Sequence, residues 1–350
     1  MTLHLERPIV EPGLHTHDQA ELAEAMRRRI ADLPGVEPIR QMVGFVYEHA
    51  AIERRHLEIG LAELATRTDW YRLVNQATTS LARRALARLI RPDLPAAEFD
   101  ALIVVSSTFA GFPALSRLLQ VELGLRLDAL CYDLAGLGCA GPTHGLHLAS
   151  LLIESGACRR VALVCADVMG THGESRVHHE VPSMSQLVAH CLASDGAAAL
   201  VVSREPTSAA CLRWTSTRLD TRLWPESLTE NDFTASADNQ PFIAVGKAIR
   251  TRLLDELGPL LAELEPETAL FHPGGASLMR SLASVDPRLI PTLEISSAVL
   301  REHGNVGSAS VLWVLHDAWR AGRPLGPNLQ LIALGPGIVS TRLRLSGASV

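Results

Sequence analysis

A chain of 350 residues, 47% hydrophobic and 20% charged, is long enough to bury a sizeable core and has the balance of a compact α/β protein. Its formal net charge of −6 excludes a polybasic nucleic-acid binder, and Lys247 is the only lysine, so phosphate-bearing ligands must be met by arginine or by helix N-termini. No apolar run reaches the roughly 18 residues of a membrane span and no basic-then-apolar leader is present, so a cytoplasmic protein is expected.

In chain order, the first 95 residues are mostly helical in pattern, with apolar residues three and four apart in "HDQAELAEAMRRRIADL" and "QATTSLARRALARLI". From residue 101 strands and helices alternate. "ALIVVSST" reads as a buried strand, "PALSRLLQVELG" as a helix and "LCYDLAG" as a strand, followed by a helix over 142–155 that Gly156 stops. "RVALVCAD" and "GAAALVVS" are further strands. A second half begins near Pro206 with "ACLRWTSTRLD", a helix over 241–264, the strand "TALFH", a helix after "PGG", the helical "SASVLWVLHDAWRAG" and closing strands "LQLIALGPG" and "VSTRLRLS". Two βα-rich halves, 1–205 and 206–350, suggest a duplicated layered α/β fold.

The six cysteines have no C-x-x-C spacing, and most lie in apolar runs where a reduced, buried thiol is expected. Cys139 differs. It sits inside "GLGCAG", whose glycines also spell the dinucleotide fingerprint G-x-G-x-x-G, with Asp167 ending the next strand where a ribose-binding acid would fall. Pro142 argues against that use, because it removes a helix N-terminal amide. As a mount for a nucleophile, the glycines turn the chain out of a strand and place the thiol at a helix N-terminus, which favours the thiolate. Packing alone would explain the cysteine equally well. Two further stretches repeat the design: His272 precedes "PGG", and Asn305 lies between Gly304 and a new helix, where it could also be a plain cap. His144 and His147, and the run His178, His179, Glu180, lack a third ligand at a plausible spacing, so no metal is expected.

"GLGCAG", "HPGG", "HGNVGSASVLWVL" and "ALGPG" (333–337), in this order, resemble the type III polyketide synthases, the chalcone and stilbene synthase superfamily. The resemblance implies a thiolase-like fold with α-β-α-β-α layers. It also implies an acyltransferase working as a homodimer without a cofactor, with acyl-CoA and malonyl-CoA as substrates and an acyl carrier protein as an alternative donor. Cys139 would accept the acyl group, while His272 and Asn305 would stabilise the enolate left by malonyl decarboxylation, which needs neutral or positive donors.

Departures from the family pattern concern the pocket. Ala193 stands where plant members carry phenylalanine, Leu334 lies in the altered glycine loop, and Met169 and His172 replace cavity threonines. Phe112, before Pro113, is where a residue crosses into the partner's cavity. These changes point to an aliphatic starter or an unusual acyl acceptor, while the iterative condensation that the resemblance implies would give a pyrone or resorcinol product. Arg54 or Arg55, in "IERRHLEIG", would meet CoA phosphates, or form a solvated surface pair. Two other classes stay open. One is a single-condensation ketosynthase or acyltransferase with the same Cys-His-Asn set. The other is a papain-type hydrolase, which shares the chain order but whose local signature is missing.

Overall fold

The computed structural model describes residues 1–66, 69–175, 181–227, 258, 261, 263–335 and 339–350. The N-terminal stretch opens not with helix but with β1 (Leu3–Glu6), β2 (Ile9–Pro12) and β3 (His15–Asp18). Each strand has four residues, too few to display a period, and proline or histidine interrupts the apolar pattern. Helices α1 (Gln19–Ile30) and α2 (Glu37–His49) follow, then β4 (Arg54–Leu57), which pairs antiparallel with β3. After α3 (Leu61–Leu64) and α4 (Trp70–Ala87), the alternating region forms β5 (Ala101–Ser106), α5 (Leu115–Glu122), β6 (Leu130–Ala135), α6 (Gly141–Glu154), β7 (Arg160–Val168), α7 (Met169–Ser175), α8 (Met184–Leu192), β8 (Asp195–Ser203) and β9 (Cys211–Trp214). The second half contributes β10 (Ser216–Leu223), β11 (Ala269–Phe271), α9 (Ala276–Val285), α10 (Ile290–His303), α11 (Ser310–Arg320), β12 (Asn328–Gly335) and β13 (Val339–Ser346).

Two sheets result. The first has the order β6-β5-β7-β8-β1-β9, with β2 also on β8, and the second the order β10-β13-β12-β11. The expected halves 1–205 and 206–350 exchange one strand, because β9 completes the first sheet through β1 before β10 starts the second. The helix expected over 241–264 lies almost wholly outside the described residues, as do His178, His179, Glu180, Pro336 and Gly337.

Strand alternation explains the layers. On β5, Ala101, Ile103 and Val105 face a central core shared with α6, α11 and the inner residues Leu329, Leu331, Leu343 and Leu345 of the second sheet. Leu102 and Val104 face the opposite way, onto α4 and α5. The second sheet does the same with α9 and α10, through Ala269, Phe271 and Ile332. The result is helix, sheet, paired central helices, sheet, helix. Strands covered on both faces read as continuous apolar runs, as "ALIVV" and "RVALVCA" do. Each buried aliphatic side chain contributes ~1.5–3 kcal/mol. The packing therefore fixes where the strands end, and those ends carry the polar residues of interest.

Candidate active site

Cys139 lies in a 3-10 turn, Gly138–Ala140, between β6 and α6. The turn is held from two sides. The Gly138 N–H donates to Ser107 Oγ at 2.9 Å, and Gly335 at the end of β12 lies against the turn's entrance. A β-carbon on Gly335 would stand 2.6 Å from the Leu137 carbonyl oxygen, so only glycine permits this approach. His272 follows β11, and its N–H donates to the Ile332 carbonyl of β12 at 2.9 Å. Cys139 and His272 thus flank the same end of one strand.

Asn305 follows α10. Its N–H donates to the Leu192 carbonyl at 2.8 Å, and its carbonyl accepts the Ser194 N–H at 2.9 Å, which forms a parallel bridge with Ala193. The side-chain Oδ1 accepts the Gly307 N–H at 3.0 Å and the Ser310 hydroxyl at 3.0 Å. Since a backbone N–H can only donate, the oxygen's identity is fixed, and the NH₂ remains as the donor. Among the described residues no acceptor holds it. The turn Gly307–Ala309 packs on the Cys139 turn Gly138–Ala140, bringing the asparagine segment to the cysteine.

The electrostatics correct one expectation. Helix placement predicts a lowered thiol pKa, but burial pushes Cys139 up to about 12, with the Asp167 carboxylate adding to the rise. The turn precedes the helix, and desolvation outweighs the attraction of the helix end. Burial alone pushes His272 down to about 4. The resting site therefore holds a neutral thiol and a neutral imidazole.

Asp167, the acid of the dinucleotide alternative, is fully buried and already occupied. Its Oδ1 accepts the Ser107 and Thr108 N–H groups at 2.7 and 3.1 Å and the Ser106 and Thr108 hydroxyls at 3.3 Å each; its Oδ2 accepts the Ser308 N–H at 2.7 Å. It has no access to a ribose, so the fingerprint glycines serve the cysteine turn.

Other candidates separate. Arg55 is fully buried and donates to the His190 carbonyl and, at 2.8 Å, to the Ala193 carbonyl; it braces the C-terminal end of α8 and is not a CoA-phosphate ligand. Arg54 stays half exposed and pairs with Glu302 at 2.7 Å. Ala193 is buried beside Asn305, and the Met169 sulfur lies against Gly307. His172 is on α7, its side chain outside the described ones. Leu334 packs with the outer cluster of Phe271 and Ile332, and Phe112 is fully exposed. Sequence reasoning missed Ser107, Ser308 and the brace by Asp167. Their signal was a hydroxyl run, "SST", and a carboxylate ending an apolar strand, both at strand ends.

A family model described as FAE1/type III polyketide synthase-like protein matches residues 66–218, the segment that holds Cys139, Asp167 and Ala193. Over that segment the chain is similar to the type III polyketide synthases. It is 29% identical over 344 residues to 1,3,6,8-tetrahydroxynaphthalene synthase of Streptomyces peucetius subsp. caesius, covering 92% of this chain and 87% of that protein. Among solved structures, germicidin synthase from Streptomyces coelicolor superposes with a TM-score of 0.83 at 21% identity, over 98% of this chain and 99% of that one. The tetrahydroxynaphthalene synthase of Streptomyces coelicolor A3(2) gives 0.81, also at 21%, over 99% and 100%. These superpositions establish the thiolase-like layering of the chain. Among its described residues no helix is long and apolar enough to cross a membrane.

Proposed function

We propose that the chain loads an aliphatic acyl group from a CoA thioester onto Cys139 and extends it with malonyl-CoA by decarboxylative Claisen condensation, giving a pyrone or resorcinol-type product. The observation that carries this reading is the orientation of Asn305, whose satisfied oxygen leaves the NH₂ as donor, in a chain whose His272 is held neutral by burial. Supporting it are the tetrahydroxynaphthalene synthase and germicidin synthase likenesses, and a further likeness to a structure of CsyB complexed with CoA-SH.

The steps follow from those charges. A thiol pushed up to about 12 is a poor nucleophile until its proton leaves, and neutral His272 is the base that takes it as sulfur attacks the acyl-CoA carbonyl. The proton then passes to the departing CoA sulfur. When malonyl-CoA loses CO₂, the electron pair moves onto the thioester oxygen, where the Asn305 NH₂ and the His272 N–H stabilise the enolate. Its carbon attacks the Cys139 thioester, and the cysteine sulfur leaves. No cofactor enters these steps.

Ala193, beside Asn305, leaves room for an alkyl chain, and Arg54 is the remaining arginine for a CoA phosphate. The protein acts as a homodimer through the open edge of β6 and exposed Phe112, with Leu127 and Leu130 nearby in sequence. Its six unpaired cysteines agree with a cytoplasmic setting.

Incubation with a panel of acyl-CoAs and malonyl-CoA, followed by product masses, tests the proposal. Several malonyl units per product are expected, with none formed by Cys139→Ala. A single unit would favour the single-condensation ketosynthase, and turnover by Cys139→Ala would overturn the mechanism.

A further inference from the structure

We infer that Asp167 is a positioning residue that locks the Cys139 turn and the Asn305 loop into one rigid unit, so that the two halves of the site are held in register by a single buried carboxylate. The inference rests on the proposed function for its meaning, but its geometry stands apart from it.

Asp167 is the penultimate residue of β7, in the middle of the first sheet, and each carboxylate oxygen serves a different loop. Oδ1 gathers the Ser106–Thr108 segment after β5 through two backbone N–H groups and two hydroxyls. Within that segment Ser107 Oγ receives the Gly138 N–H at 2.9 Å, one residue before the nucleophile. Oδ2 takes the Ser308 N–H at 2.7 Å, three residues beyond Asn305. Gly307, at φ +62°, lies so close that a β-carbon would stand 2.6 Å from Oδ2. Neighbouring Gly307 also donates to Asn305 Oδ1, so the donor that orients the asparagine is fixed by the chain segment that Asp167 holds.

A carboxylate suits this task better than an amide. It accepts on both oxygens at once, and a fully buried one would be costly without such donors. Its charge has a second effect, because it raises the pKa of the Cys139 thiol. Asp167→Asn retains the shape and one acceptor oxygen. With that oxygen kept on the Ser106–Thr108 side, where four donors meet it, the new NH₂ faces the Ser308 N–H and releases the asparagine loop. Ser107→Ala does the converse, freeing the Gly138 N–H while leaving Asp167 in place.

The test uses both variants in the full chain. Acyl loading of Cys139 is followed by intact-protein mass, decarboxylation of malonyl-CoA by acetyl-CoA formation, and Cys139 alkylation by iodoacetamide against pH. Asp167→Asn should depress decarboxylation more than loading, by about 10²-fold. Ser107→Ala should depress loading more than decarboxylation. Asp167→Asn should also shift Cys139 alkylation to lower pH, with about tenfold faster labelling at fixed pH for each unit of pKa lost. Equal losses in both steps by both variants would overturn the brace. If the wild-type protein neither loads nor decarboxylates, the functional reading fails. The alkylation profile then decides the brace alone, and an Asp167→Asn profile superposing on the wild type would overturn it. A variant that fails to fold leaves the decision to the other: unaltered loading in Ser107→Ala, or unaltered alkylation if wild type does not load, would overturn it as well.

Discussion

Asn305 is suited to an enolate because its oxygen is already occupied. The Gly307 N–H and the Ser310 hydroxyl hold Oδ1, so the amide presents donors and no lone pair to a developing negative charge. His272, neutral through burial, presents an N–H of the same kind. Asn305→Ala should therefore lower malonyl decarboxylation by ~10²–10³ while leaving acyl loading of Cys139 largely intact, whereas His272→Ala should impair both steps. Intact-protein mass spectrometry reads the loading step and acetyl-CoA formation the decarboxylation, and equal effects of the two variants on loading would refute the division of labour. Ala193 is the second residue with a measurable consequence. It is buried next to Asn305, and each methylene accommodated there contributes ~0.8 kcal/mol. Ala193→Phe should shift kcat/KM toward shorter acyl-CoAs; an unchanged preference would move the specificity elsewhere.

At the scale of elements, the site is built where strand ends meet 3-10 turns. The Cys139 turn Gly138–Ala140 leans on β12 through Gly335, and the turn Gly307–Ala309 packs against it. Gly335→Ala would push a methyl group into the Leu137 carbonyl and to 2.9 Å from Ala140 Cβ, and both belong to a segment with little freedom to yield. Acyl loading should fall at least tenfold, and it should fall more than malonyl decarboxylation, since the turn and not the asparagine loop is displaced. Loading rates beside decarboxylation rates in the variant check this, and equal losses would place the strain elsewhere. The C-terminal end of α8 is a comparable junction: Gln19 donates to the Cys191 carbonyl at 2.8 Å, Asn305 takes Leu192, and Arg55 holds His190 and Ala193. An arginine that sequence places near CoA is thus occupied in securing the chain beside Asn305.

Across the whole molecule, burial sets a pH dependence. His56, His272 and His303 are each pushed down to about 4, chiefly by desolvation. The unfolded chain takes up these three protons near the ordinary value of 6.5 while the native state refuses them, so stability is lost as pH falls from 6.5 toward 4. Asp195, pushed up to about 7 by burial, works the other way, gaining a proton in the native state below that pH. Over these four groups the net is an uptake of about two protons on unfolding in this window, near 1.4 kcal/mol per pH unit each. Burial also lowers His4, His144 and His147, which adds to it, and raises Asp167, which subtracts. Urea midpoints measured between pH 7 and 4.5 should fall with that slope; a flat profile would contradict the neutral histidines. The open edge of β6, with Phe112 exposed, gives the second prediction at this scale. Sedimentation at micromolar concentration should show a dimer that Phe112→Ser weakens, and a wild-type monomer would refute it.

Sequence alone determined the alternating strands and helices from residue 101 onward, because covered strands must be apolar on both faces and that pattern is local. It also carried the resemblance to the type III polyketide synthases, through "GLGCAG", "HPGG" and "HGNVGSAS", since a polar residue beside glycines at a strand end is a local design. The short strands β1 to β4 were not legible, because four residues carry no period and their partners lie far along the chain. Tertiary structure alone decided the charge state of the site and the fate of its ionisable neighbours. The Cys139 pKa rises because distant residues desolvate it, against what its helix position predicts. Asp167 meets Ser107 and Ser308 across separations of 60 and 141 residues, and Arg55 meets Ala193 across 138. No pattern in the sequence encodes those distances; only the stacking of the two sheets on their shared core brings them to hydrogen-bonding range.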